Sequence, residues 1–399
     1  MKDYRHLLVT SSTFPLKMGD SIPGFVFNLA NGLTPHFDSV QALTPGDKTA
    51  LAQETMKDVT VHRYNYAWPK ESQVLCYRHG MVANIKKHPL SILLLPQFVC
   101  SQISAIRKLC KTGPVDIVNS HWLVFQGFAG AVARHKCNYR HVIHVHAAGL
   151  YVLMRLPGKF GRFIARFIIR RSDHVICEST YVREKLDALL DWPSNASISC
   201  MGVDFNSFKS EHKEIKTPSI LFVGRLVEKK GVKYLLKAIK ILQNNIPDVT
   251  LDIVGSGPEE SNLKKLAEQL QLQESCVHFL GSKPHEEIIA LQKHARVITV
   301  PSIVDSSGET EGMPTVILEA MAAGKRVVAS RVNGTPDVVK HLENGWLCNP
   351  KDEHDLANKL MDAIRSQDNA IIKKAEETAE FYNWPNLCLR YANYLRQPQ

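Results

Sequence analysis

Paired cysteine is missing from this chain: its nine cysteines are scattered from Cys76 to Cys388, odd in number, and none stands in a C-x-x-C pair. This excludes a disulfide framework and the usual thiolate metal spacings, and it fits reduced thiols in a cytoplasmic compartment. A long hydrophobic run is missing too. The stretch Leu90 to Cys100 is interrupted by Pro96 and is too short to cross a bilayer, so no transmembrane helix is expected. Met1 to His6 leads straight into a strand without the apolar region and cleavage site of a signal peptide, which argues against secretion. Low-complexity tracts and solenoid-length repeats are absent. The formal net charge is +10, yet there is no helix-turn-helix, zinc-finger or aromatic RNA-binding signature, so nucleic acid is not an expected partner.

What is present has the make-up of a soluble globular protein, with 44% hydrophobic and 22% charged residues. A chain of 399 residues exceeds the usual single domain and predicts two, of roughly 200 residues each. Strand and helix patterns alternate throughout. In the first half strands are expected near His6 to Ser11, Val40 to Leu43, Val59 to Tyr64, Val115 to Asn119, His141 to His146, His174 to Cys177 and Ser197 to Cys200. In the second half they are expected near Ile220 to Val223, Thr250 to Val254, Val277 to Leu280, Val297 to Val300 and Arg326 to Ala329. Such alternation implies α/β architecture with parallel sheets covered on both faces, and the polar stretch Phe208 to Pro218 is the expected linker. Ligands of open parallel sheets bind beyond the carboxyl ends of the strands, which directs attention to the loops there.

The most informative of these loops is Glu311-Gly312-Met313-Pro314-Thr315, leading to Glu319 with seven residues between the two glutamates. Pro314 suits a first helical turn, where its missing N–H costs nothing, and Gly312 allows close approach to the backbone. Two carboxylates at the positive end of a helix, beside free amides, match a sugar nucleotide: the amides face its diphosphate and the carboxylates accept from sugar and ribose hydroxyls. Upstream, the buried strand Ser219 to Val223 runs into Gly224-Arg225-Leu226-Val227-Glu228-Lys229-Lys230-Gly231 and then the helical pattern Tyr234, Leu235, Ala238, Ile239, Leu242. Arg225 and Lys230 at that turn have the chemistry to neutralise a leaving diphosphate.

Together these segments resemble the retaining glycosyltransferases of family 4, and the resemblance extends over nearly the whole chain. It also rests on Ile253-Val254-Gly255-Ser256-Gly257-Pro258, on Met201-Gly202-Val203-Asp204 leading to Phe208, and on Thr10 to Pro15 followed by Gly19-Asp20. The resemblance implies the GT-B fold, two Rossmann-like domains with parallel sheets facing across a deep inter-domain cleft. It places an acceptor-side domain at 1–207, a nucleotide-sugar domain at 208–385, and at 386–399 a helix crossing back to the first domain. Carried over residue by residue, it implies donor binding by Gly19, Arg225, Lys230, Gly255, Glu311, Gly312, Met313, Pro314, Thr315 and Glu319. Glu319 would hold the ribose and Glu311 the donor sugar, while His146, Glu311, Arg225 and Lys230 form the catalytic set. His121 and Trp122 fall where acceptor-side motifs lie. The stretch Val145-His146-Ala147-Ala148-Gly149 departs from the family pattern, having Gly149 where an aspartate is frequent.

No cofactor and no metal are expected. The chain contains no Asp-x-Asp, the pair with which sugar transferases of the other common fold hold a divalent ion, and fixed cations and helix amides can replace that ion. The acidic loop Ser302 to Thr310, with Asp305 and Glu309, should border the donor sugar. The expected activity is transfer of a sugar from a nucleotide diphosphate to a glycan or lipid-linked acceptor, in surface polysaccharide or glycolipid assembly. A catalytically silent nucleotide-sugar-binding scaffold, or a sugar nucleotide epimerase or hydrolase, is the alternative.

One segment stands apart. Arg155 to Arg171 holds six basic residues and no acid. On a helix, Phe160, Phe163, Ile164, Phe167 and Ile168 form one face and Lys159, Arg162, Arg166 and Arg170 the other. That pattern suits either an anionic membrane surface, with the protein peripheral on the inner face, or an internal helix with a solvated basic side.

Overall fold

The computed structural model describes residues 4–17, 24–77, 81–209, 215–272 and 274–397. It divides into two compact units, Met1–Cys200 with Leu387–Gln399, and Met201–Asn386. The boundaries expected at 207 and 385 compare with 200 and 386 here.

The first unit is built on an eight-stranded sheet: β1 (His6–Thr10), β2 (Ser39–Pro45), β3 (Gln53–Met56), β4 (Val59–Tyr64), β5 (Ile117–His121), β6 (Arg140–Val145), β7 (His174–Cys177) and β8 (Ser197–Ile198). Their order across the sheet is β3-β4-β2-β1-β5-β6-β7-β8. Every pairing is parallel except that of β3 with β4, an antiparallel hairpin closed at Lys57-Asp58. The wholly parallel sheet expected from sequence is corrected at that edge. β3 was not foreseen because only Met56 of its four residues is buried, so it lacks the apolar run or alternation that marks a strand.

The second unit carries a six-stranded, all-parallel sheet of β9 (Ser219–Val223), β10 (Thr250–Val254), β11 (Val277–Gly281), β12 (Val297–Val300), β13 (Arg326–Ser330) and β14 (Trp346–Cys348). Its order is β11-β10-β9-β12-β13-β14. The three-residue β14 is too short to show a period and was missed. Strands β5, β6, β7, β12 and β13 are buried along their whole length, as expected where helices cover both faces of a parallel sheet. Packed against the second sheet, helix Val232–Leu242 buries Val232, Leu235, Leu236, Ala238, Ile239 and Leu242, with about 1.5–3 kcal/mol of hydrophobic stabilisation for each large side chain.

In both sheets the chain runs outward on one side, then returns to the other side of its first strand. The reversals fall between β1 and β5, and between β9 and β12. A crevice opens at the carboxyl ends of the strands at such points, and in each unit the loops flagged by sequence leave from those strands.

The carboxyl-terminal helix, Trp384–Arg396, begins in the second unit and ends in the first. In the first, Tyr391 is fully buried and Arg140 Nε donates to Leu395 O at 2.8 Å. The apolar run Leu90 to Cys100 turns out to belong to a longer helical stretch, Pro89–Thr112, which is long and apolar enough to cross a membrane by length and composition. Its prolines do not break it, because Pro89 and Pro96 occupy first turns. It buries Phe98, Gln102 and Ile106 against the first unit and leaves Leu90 and Leu93 exposed.

Candidate functional site

In the second unit the site starts with β9. After Val223 the backbone turns through Gly224 and Arg225 into a short 3-10 turn, Glu228–Lys230, and Gly231 then caps helix Val232–Leu242. Gly231 lies at φ 70°, and a Cβ there would stand 1.9 Å from the carbonyl oxygen of Pro301, so only glycine fits. This close approach joins the loops after β9 and β12, and Ile303 N donates to Lys229 O at 2.8 Å across the same junction. Gly255 is the second such point, at φ 136°, where a Cβ would come within 2.0 Å of Gly224 O. Close packing of the β9 and β10 loops thus accounts for Gly255, expected as a donor ligand.

Against this frame Lys230 Nζ lies 3.0 Å from Glu311 Oε2, and Lys229 Nζ lies 3.2 Å from Glu311 Oε1. Burial works to raise the pKa of Glu311, but Lys230 first and Lys229 next outweigh it, and the carboxyl titrates below the usual glutamate range. Lys229 was not foreseen; its only signal was adjacency to Lys230. Arg225, expected beside Lys230, is exposed. The Glu311 loop is pinned by Asn333, whose side chain donates to Glu311 O, and by Gly334 N, which donates to Gly312 O at 3.0 Å.

The helix after Glu311 spans Thr315–Ala322, and Pro314 is its cap rather than part of its first turn. Gly312, Met313 and Thr315 are half-buried and Pro314 is buried. Glu319 stands in the second turn, where Gln292 Nε2 donates to its Oε2 at 3.2 Å. Its pKa is raised because burial outweighs the opposing influences of Gln292, His285, Thr315 and Lys230. Lys230 therefore acts on both carboxylates. Asp305, expected to border a sugar, is committed to its own loop: Oδ1 accepts from Ser307 N at 2.9 Å, Ser307 Oγ at 2.7 Å and Glu309 N at 2.9 Å.

In the first unit Gly19 lies outside the described residues. His146 follows β6 instead of ending it, and caps helix Ala147–Met154. Its Nδ1 is 3.0 Å from Oε2 of Glu178, the residue just after β7, and its Nε2 is 3.1 Å from His121 Nδ1. Both ring nitrogens of the expected catalytic histidine thus have protein partners. His144 stacks on His146 with ring centroids 4.5 Å apart, and its Nδ1 is 2.9 Å from Tyr391 Oη. Burial first, and neighbouring histidines second, push His121 and His144 well below the ordinary histidine range, so both are neutral.

Trp122 closes this cluster. Its backbone sits at φ 74°, uncommon for a bulky residue, and its ring lies 5.0 Å from His146 and 6.0 Å from Phe25. Gly149 faces it: a Cβ there would lie 3.6 Å from the Trp122 side chain, an ordinary van der Waals contact, so packing at the Cβ does not explain why glycine stands where an aspartate is frequent. Histidines 121, 144 and 146 each bring one ring nitrogen within 4.8 Å of the others. Of their nitrogens, His121 Nδ1 and His146 Nε2 are already within hydrogen-bond distance of each other at 3.1 Å. Glu178, Tyr391 and Phe25 were not legible in the sequence, each being an ordinary residue until the sheet gathers them.

Two family models match the chain: Glycosyltransferase Family 4 over residues 25–207 and Glycosyl transferases group 1 over residues 204–380. A glycosyltransferase of uncharacterised specificity from Haemophilus influenzae is 31% identical over 263 residues, 64% of this chain and 68% of that protein. The putative colanic acid biosynthesis glycosyltransferase WcaL of Salmonella typhimurium is 31% identical over 237 residues, 57% of this chain but only 58% of its own length. Among solved structures, Anabaena HepE in complex with UDP superposes with a TM-score of 0.70 at 19% identity, over 98% of this chain and 99% of that one.

Proposed function

The chain belongs to the family 4, group 1 glycosyltransferases and has their GT-B fold, and on that premise we propose that it transfers a sugar, with retention, from a nucleoside diphosphate to a hydroxyl of a glycan or lipid-linked acceptor. The observation that carries this reading is the Lys229–Glu311–Lys230 cluster at the switch point of the second sheet. Two ammonium groups and the amides of the Thr315–Ala322 helix supply positive charge for a diphosphate, Glu311 supplies an acceptor for a sugar hydroxyl, and Glu319 one for the ribose. UDP bound to HepE and the similarity to WcaL, described as a putative colanic acid biosynthesis glycosyltransferase, support a nucleotide donor and a polysaccharide product. The residues around His121, Trp122 and His146 serve the acceptor side.

In this mechanism the bond from the anomeric carbon to the diphosphate breaks while the acceptor oxygen bonds to the same face. The leaving phosphate oxygen takes the acceptor's proton, and the lysines hold the charge that develops on the diphosphate. No metal is needed for that step. The test is a calorimetric screen of UDP- and GDP-sugars, followed by product analysis with EDTA present. Hydrolysis or epimerisation in place of transfer, donor binding without turnover, or strict dependence on a divalent ion would each overturn part of the reading.

The protein works at an anionic membrane surface in the cytoplasm. Helix Phe160–Ile169 departs from its expected faces: it buries Gly161, Ala165, Ile168 and Ile169, and turns Phe160 and Phe163 outward. Arg162 is held by Asp191 at 2.7 Å and Arg166 by the carbonyl of Leu190, so part of the basic face serves the fold. The two outward phenylalanines beside exposed Lys159 and Arg170 are what would meet lipid.

A further inference from the structure

The first unit contains a buried string of polar groups whose direction is fixed by its inner end. Glu178 is a carboxylate with two committed oxygens: Oε1 accepts from Ala147 N at 2.7 Å, and Oε2 lies 3.0 Å from His146 Nδ1. An ionised carboxylate only accepts, so His146 must carry its proton on Nδ1. With that nitrogen protonated, neutral His146 presents a lone pair at Nε2, which accepts from His121 Nδ1–H at 3.1 Å. His121 is then left with a bare Nε2, a buried ring nitrogen without a partner.

The opposite direction would make His146 a buried cation and would orphan a His121 N–H donor instead of an acceptor. That arrangement leaves the same count of unmade bonds and buries a second ionised group, whose desolvation the Glu178 carboxylate must offset, whereas the neutral ring needs no such compensation. The surroundings agree. Among the described residues the rings packed on His146 are Phe25, Trp122, His121 and His144, and Glu178 is the one carboxylate bonded to it. The side chains of His146 and Glu178 are 7% and 13% exposed, so water does little to dilute the interaction.

We propose that Glu178 is a positioning residue for sugar transfer: it holds His146 in the Nδ1–H tautomer, with its ring plane fixed under Trp122, and keeps Nε2 as a hydrogen-bond acceptor. The role parallels any buried carboxylate that orients an imidazole without touching substrate. It rests on the glycosyltransferase reading for its effect on turnover, but not for its effect on the ring.

The test has two arms. In the first, nitrogen-15 NMR of histidine-labelled protein, with the His146 signals assigned by their loss in His146→Gln, reports the tautomer directly. The wild type should show Nδ1–H, and Glu178→Gln should show a mixture or the Nε2–H form. In the second, Glu178→Gln should lower kcat by about tenfold or more, while UDP and GDP affinity and donor KM stay within about twofold, because the nucleotide ligands lie in the other unit. Glu178→Asp, which keeps the carboxylate, should recover part of both signals and serves as the probe if the glutamine variant does not fold. An Nε2–H tautomer in the wild type, or no change in the variant, overturns the proposal. A changed tautomer with unchanged kcat overturns the catalytic half alone. A wild type that transfers no sugar sinks the functional reading, and with it that half, while the NMR arm still decides the other.

Discussion

Lys230 and Glu311, 81 positions apart in sequence, form a 3.0 Å ion pair at the carboxyl ends of two adjacent strands, β9 and β12. In the absence of donor each neutralises the other, so a bound diphosphate must share Lys230 with Glu311.

Lys230→Ala therefore has two expected effects. Losing a charged hydrogen bond to the ligand costs about 1.5–3 kcal/mol, or roughly ten- to hundredfold in UDP or GDP affinity. It also leaves Glu311 half-buried with Lys229 alone. Lys229→Ala should weaken the nucleotide less, its side chain being 31% exposed against 14% for Lys230. Isothermal calorimetry on both variants checks the ranking, and equal affinities for wild type and Lys230→Ala would remove the lysine from the donor site.

The two glutamates should separate kinetically. Glu319→Gln keeps size and hydrogen bonding but loses charge, so donor affinity falls and any remaining product keeps its anomeric configuration. Glu311→Gln lowers kcat more than affinity, because its contact lies where charge develops. Steady-state kinetics and NMR of the product's anomeric proton read both effects. Unchanged kinetics in the pair, or an inverted product from the wild type, would contradict the mechanism.

Acidification should act through Glu319 first. Its pKa is raised by burial, so it takes a proton at a pH where an ordinary glutamate is still ionised, whereas the Glu311 carboxyl stays ionised further into acid. The stability contributed by the Glu311 pair is present above the ordinary glutamate pKa and is lost only as pH falls through its lowered value. UDP affinity should thus decline, as pH falls from neutrality toward the ordinary glutamate range, more in the wild type than in Glu319→Gln. The ligand's own phosphate titrates equally in both, so parallel calorimetric curves would argue against a ribose contact by Glu319.

On the membrane reading proposed above, docking should depend on the aromatic pair and not on the arginines already engaged. Replacing Phe160 and Phe163 by serine should abolish sedimentation with phosphatidylglycerol vesicles and leave the fold intact, since both rings are more than half exposed. Binding of the wild type should weaken with salt and be poor on phosphatidylcholine. Equal binding by the double variant would return the segment to the role of an ordinary domain helix.

The sequence carried the sheets well because buried parallel strands announce themselves: twelve expected strands lie within a few residues of those found. β3 and β14 escaped through exposure and brevity. Glu311, Glu319 and Lys230 were legible because their loops have a local pattern. Glu178 and Tyr391 were not, for they become neighbours of His146 and His144 only when β5, β6, β7 and the last helix assemble. The faces of Phe160–Ile169 were misjudged because periodicity cannot say that a Gly161–Ala165–Ile168 stripe packs inward and the larger Phe160 and Phe163 do not.

Trp122 holds a backbone conformation that a bulky side chain adopts at a cost of about 1–3 kcal/mol, and a glycine would hold it at less. A design procedure that ranks residues by backbone fit would replace this tryptophan early, and would strip the indole from above His146 in the name of improvement. The value of this position lies in what the ring meets, His146 and Phe25, and not in how easily the backbone bends there.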